Sequence, residues 1–112
     1  GQMQIASQTN ENVAIVELTG RFDAYTAPDV SALLDLPATP PRVVVDLRGV
    51  SFIDSTALAS LVRGMKRCRQ REGDLHLCGL QQPVRIIFEL TRLDKAIRIF
   101  PARAEAIDAF GA

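Results

Sequence analysis

The sequence predicts an α/β fold, a single domain built on a largely parallel sheet in the element order β-β-α-β-α-β-α-β-α. Three observations carry this reading. Val43–Val44–Val45–Asp46–Leu47 is a β-branched run with little polar alternation, the mark of a strand buried on both faces. Leu58, Leu61, Val62, Met65 and Cys68 recur at helical spacing and form one apolar stripe. Proline and glycine punctuate the segments between them, so strands alternate with helices. Such alternation implies parallel strands joined by right-handed crossovers.

Each element follows in order. Met3–Gln8 and Val13–Leu18 are the first two strands, separated by the polar hairpin turn Thr9–Asn10–Glu11–Asn12. Gly20–Arg21–Phe22–Asp23 leaves the second strand. A helix follows with Thr26 as cap, Pro28 in its first turn, and Val30, Leu33 and Leu34 on its apolar face. Pro37, Pro40 and Pro41 end it. Val43–Leu47 is the third strand, and the next helix runs from about Ser55 to Arg71. Arg63, Lys66, Arg67, Arg69 and Arg71 crowd its second half, where cations complement the helix dipole, and Gly73 stands at the expected C-cap. Leu75–Cys78 is a fourth strand closed by Gly79. Pro83 opens a helix bearing Val84, Ile87 and Phe88. Ala96–Phe100 is a short fifth strand, and Ala102–Phe110 a last helix before Gly111. The expected result is a mixed, mostly parallel five-stranded sheet with four helices.

The 112 residues fit one domain, taken as 3–112, with Gly1–Gln2 ahead of Met3 read as a cloning remnant. A formal net charge of zero gives no global field toward nucleic acid or an anionic membrane, so neither is an expected partner. No apolar run approaches the roughly 20 residues of a membrane span, and no signal-peptide core is present; a cytoplasmic protein is expected. Cys68 and Cys78 lack metal-ligand spacing and read as small core residues. The five cations of the second helix read as a solvated face, with an acidic partner as the alternative.

Residues suited to chemistry are few. In open parallel sheets, functional residues collect in loops beyond the carboxyl ends of strands. Gly20–Thr26 and Gly49–Asp54 both leave that edge, which places Asp23 near Ser55 across 32 sequence positions. Asp54–Ser55–Thr56 has the composition of a helix cap, and a capping serine stays partly exposed. Tyr25 beside Asp23 is either a packing residue or a surface anchor. A serine nucleophile would need a base, but the lone His76 lies within a strand, and Ile53–Asp54–Ser55–Thr56–Ala57 lacks the glycines of a nucleophile elbow. Asp46–Leu47–Arg48–Gly49 matches D-x-x-G without any phosphate-binding loop. No enzyme activity, cofactor or metal is expected.

Val44–Val45–Asp46–Leu47 through Phe52–Ile53–Asp54–Ser55–Thr56–Ala57–Leu58 resembles the strand and D-S-[ST]-G-L helix start of the STAS domain, in particular of the bacterial anti-sigma factor antagonists (anti-anti-sigma factors). Gly20–Arg21–Phe22–Asp23 with Thr26–Ala27 is similar to that family's G-x-[LF]-D-x-x-[TS]-[AV] segment. Gly73–Asp74–Leu75 through Gly79, then Pro83–Val84 and Phe88, resembles its later strand and helix. The likeness covers nearly the whole chain.

The resemblance implies a STAS-type fold and a regulator rather than a catalyst. An anti-sigma factor of serine-kinase type would bind the unmodified chain, freeing a sigma factor, and would phosphorylate Ser55, with Thr56 as second-choice acceptor. A PP2C-type phosphatase would reverse the modification. Asp23, Tyr25, Asp54, Thr56 and Ala57 are the implied partner-binding residues. Ala57 stands where the motif usually has glycine, and alanine is the better helix former by roughly 1 kcal/mol. The same fold also serves regulatory or scaffold subunits of transporters, lipid-trafficking complexes and stressosome-like assemblies, which is the alternative function.

Overall fold

The computed structural model describes residues 2–111; Gly1 of the proposed remnant and Ala112 at the expected domain end lie outside the described residues. Strands β1 (Gln4–Asn10) and β2 (Val13–Phe22) form an antiparallel hairpin. Helix α1 (Ala27–Leu34), β3 (Arg42–Ile53), α2 (Ser55–Gln70) and β4 (Asp74–Cys78) follow. After α3 (Gln82–Leu90) come a single 3-10 turn at Leu93–Lys95, β5 (Ile99–Phe100) and α4 (Arg103–Asp108). The strands lie side by side in chain order, and every pair after the first is parallel.

That order explains the two layers. Successive right-handed crossovers in one direction put every connecting helix on one face of the sheet. Helices α1, α2 and α3 accordingly share a core with Ala14, Val16 and Leu18 of β2, Val43, Val45 and Leu47 of β3, and Leu75 and Leu77 of β4. The alternate residues Val13, Ile15, Val44 and Cys78 face the other way and are covered by Ala106 of α4 with Phe100, Ile107 and Phe110. Strand β3 is therefore buried on both sides from Val43 to Leu47, as its unalternated sequence requires.

Several boundaries differ from the sequence reading. Strand β2 continues through Phe22, and β3 runs on through Ile53 instead of stopping at Leu47, so Gly49–Ile53 is not a loop. The two extensions pair with each other at Thr19–Gly49, Gly20–Val50 and Arg21–Phe52, interrupted by two bulges. Polar and glycine residues there read as a loop because bulges break the two-residue period. At the end of α2 the left-handed residue is Glu72, and the Gly73 N–H closes the helix onto Cys68. Gly73 is needed for another reason: a Cβ there would sit 1.9 Å from the Pro41 carbonyl oxygen. Strand β5 shrinks to Ile99–Phe100, paired with Leu77 and Cys78, because the 3-10 turn and its C-cap Ala96 take up the start of the expected strand. Helix α4 is trimmed to Arg103–Asp108.

Candidate functional site

The β2 and β3 extensions project past the end of β4 and carry two connections to one edge, the Asp23–Thr26 turn and the start of α2. The turn organises itself. Asp23 Oδ1 accepts hydrogen bonds from the N–H groups of Tyr25 (3.0 Å) and Thr26 (3.2 Å), while Thr26 Oγ1 accepts from the Asp23 N–H (2.9 Å). This reciprocal pair satisfies donors ahead of α1 as a capping box does. Thr26 therefore does not cap α1 with its side chain; its hydroxyl turns back into the loop. Asp23, half-buried, shapes the turn. Tyr25 at its tip is 93% exposed, so packing is not its role.

Asp54 joins this turn to α2. Its Oδ1 accepts from the Ala57 N–H (2.9 Å), capping the helix, and its Oδ2 accepts from the Ala24 N–H (2.9 Å) across 30 residues. The Asp54 N–H in turn donates to the Phe22 carbonyl (3.2 Å). One carboxylate thus fixes both segments relative to each other. Ser55 and Thr56, the first two residues of α2, are exposed beside it. Ala57 is fully buried, its methyl in the core, so the structure does not bring it to the surface with the other expected contact residues. Along the same edge the Arg21 guanidinium lies 3.8 Å over the Phe52 ring and 3.8 Å from Asp23.

Among the described residues no hydrogen bond joins the Ser55 hydroxyl to a histidine or carboxylate. His76 is buried on the far face of the sheet, stacked on Phe110 at 3.9 Å, with Nδ1 2.8 Å from the Ala106 carbonyl oxygen. Among the described residues no group of three His, Cys, Asp or Glu is arranged to hold a metal, and no helix is long and apolar enough to cross a membrane. Cys68 and Cys78 are free and buried, and burial pushes their thiols up to about 11 and about 12.

The model of the STAS domain family matches residues 4–106. The chain belongs to that family. The anti-sigma-B factor antagonist of Listeria monocytogenes serovar 1/2a is 35% identical over 99 residues, covering 87% of this chain and 86% of the relative. The crystal structure of an anti-sigma factor antagonist from Mycobacterium paratuberculosis aligns with a TM-score of 0.87 at 24% identity, over 97% of this chain and 94% of that one. The Bacillus cell fate determinant SpoIIAA in its phosphorylated form aligns with a TM-score of 0.73 at 17% identity, over 96% and 98% of the two chains. At these identities the two structures bear on the STAS fold alone.

Within this STAS domain, the structure gathers Asp23, Tyr25, Asp54, Ser55 and Thr56 at one edge and adds Arg21 and Phe52, which sequence reasoning missed. Phe52 is 38% exposed, and its pairing with Arg21 left no signal in the sequence because it depends on the β2–β3 register. A second omission is the ion network around Asp46. Burial alone would raise this carboxyl. The Arg48 N–H and the guanidinium groups of Arg103 and Arg48 outweigh burial and hold it below the usual carboxylate value. Arg103 reaches Asp46 at 2.9 Å and Glu17 at 2.6 Å, tying α4 to β3 and β2. A lone aspartate inside a β-branched run was the clue, because a buried charge requires a partner.

Proposed function

We propose that this chain is an anti-sigma factor antagonist that binds an anti-sigma factor of serine-kinase type and is switched off by phosphorylation at Ser55. The observation that carries the reading is an exposed serine at the first turn of a 16-residue helix whose cap is welded to the neighbouring loop by Asp54. The family membership and the naming of its relatives support it. Tyr25 and Thr56 offer contact surface, Asp23 and Asp54 hold the surface in shape, and a PP2C-type phosphatase, in the cytoplasm, restores the unmodified form.

Magnitudes favour an effect on binding over one on folding. A phosphoserine adds about −1.5 to −2 charges and three acceptor oxygens. At a helix N-terminus an anion is stabilised by about 0.3–1 kcal/mol, so α2 survives modification. Burying an uncompensated charge at an interface costs several kcal/mol, which is roughly 30-fold or more in affinity. The interface effect is the larger one.

Phosphosite mapping tests the assignment. Incubation with ATP and host extract should place phosphate on Ser55 of the wild-type chain and none at this edge in Ser55→Ala. Undiminished modification of Ser55→Ala at Thr56 would transfer the acceptor role, and no modification of either residue would remove phosphorylation from the account.

A further inference from the structure

The two edges of the sheet are guarded very differently. Strand β5 is only two residues long, with Arg98 before it and Pro101 after it, and such an edge offers little to pair with. Strand β1 is seven residues, Gln–Ile–Ala–Ser–Gln–Thr–Asn, with no proline, no charge and an unbroken register against β2. None of the usual devices that blunt an exposed edge is present. Open grooves of about 220 and about 180 Å³ flank it, one lined by Ala6, Gln8, Ile15 and Arg103, the other by Thr9, Val16, Ala38 and Pro40.

The turn fixes which backbone groups point outward. Glu11 and Asn12 both have positive φ, 52° and 68°, and form a two-residue type I′ turn between Asn10 and Val13. In such a hairpin the pair flanking the turn exchanges both hydrogen bonds, and bonded and non-bonded pairs then alternate. Asn10, Gln8, Ala6 and Gln4 are therefore bonded to β2, while the N–H and C=O groups of Thr9, Ser7 and Ile5 face away from it. This spacing is self-complementary. A two-fold axis at Ser7 pairs Ser7 with its own copy and Ile5 with Thr9 of the other chain, in both directions. No like charges meet along the seam.

We propose that the β1 edge is an interaction surface for a second copy of this chain, pairing antiparallel about Ser7 into one continuous ten-stranded sheet. An isologous contact of this kind closes on itself and stops at two chains, because the only other edge is the guarded β5. Helices α1–α3 of both copies then lie on one face. The two Ser55 edges point to opposite ends, so pairing leaves both free. The contact is narrow, and the association is correspondingly weak and concentration-dependent.

Sedimentation equilibrium between about 10 µM and about 1 mM, a range suited to a weak contact, tests this together with amide hydrogen exchange. The average mass should rise from 12.2 kDa toward twice that value. Protection of the Ile5, Ser7 and Thr9 amides should rise with it, while those of Ala6 and Gln8 stay protected throughout. Ser7→Pro removes an outward N–H without touching the β1–β2 bonds, and Ser7→Lys sets two cations against each other at the axis. Each variant should weaken association at least tenfold and keep the wild-type circular dichroism. A wild-type mass fixed at one chain with free exchange at Ile5, Ser7 and Thr9 would overturn the proposal, even if an extended peptide were captured there. Equal association of wild type and both variants would overturn it too, since the interface would lie elsewhere.

Discussion

Asp54 holds the candidate site together through two bonds made by one carboxylate, and its removal has a calculable cost. Replacing an N-cap side chain with alanine costs about 1 kcal/mol. Losing the Oδ2 bond to the Ala24 N–H adds about 1 kcal/mol, the net worth of a typical hydrogen bond. Asp54→Ala should therefore destabilise the chain by about 2 kcal/mol. For a domain of this length that lowers Tm by about 8 °C. Asp54→Asn keeps one acceptor oxygen where two separate donors, the Ala57 and Ala24 N–H groups, are served. It should cost about half as much. Thermal and urea unfolding followed by circular dichroism at 222 nm, a helix band, read both variants. A loss below about 0.5 kcal/mol for Asp54→Ala would refute the clip. Wild-type stability in Asp54→Asn would show that the Ala24 bond contributes nothing.

Three further outcomes are expected. Arg103→Ala should destabilise by about 3 kcal/mol in urea unfolding, because Asp46 stays buried with only Arg48 to compensate it; a loss under about 1 kcal/mol would mean that water replaces the guanidinium. Burial lowers the His76 pKa against the opposing pull of the Ala106 carbonyl and Asp74, so the fold favours neutral imidazole and stability should fall as pH drops below the ordinary histidine value of 6.5. As the only histidine, its ring proton resonances report this directly, and a midpoint at or above 6.5 would contradict the assignment. Asn12→Gly, at a position with φ 68°, should stabilise the β1–β2 hairpin by about 0.5–1 kcal/mol in the same unfolding assay.

The central strands and helices were legible because burial imposes a period on them. Val43–Leu47 reads as two-sided and is covered on both faces; the stripe from Leu58 to Cys68 faces the core, with Val62 at its margin. What the sequence hid depends on pairing at a distance. Gly49–Ile53 becomes strand only because Thr19–Phe22 lies beside it, and β5 keeps only Ile99 and Phe100 because the chain before it turns through Leu93–Ala96. The start of α2 was legible from Asp54–Ser55–Thr56, whereas the second bond of Asp54, to Ala24, belongs to a residue with no distinguishing side chain. Ala57 shows the limit of motif reading, since Ser55 and Thr56 just before it are exposed and it is not.

The most direct test of the switch is recovery of partners from host lysate on the wild-type chain and on Ser55→Asp, followed by mass spectrometry. An ATPase-fold serine kinase of the anti-sigma type should come down on the wild-type bait and be lost from Ser55→Asp. Equal recovery of that kinase by both baits, or of a transporter subunit by both in its place, would contradict the switch.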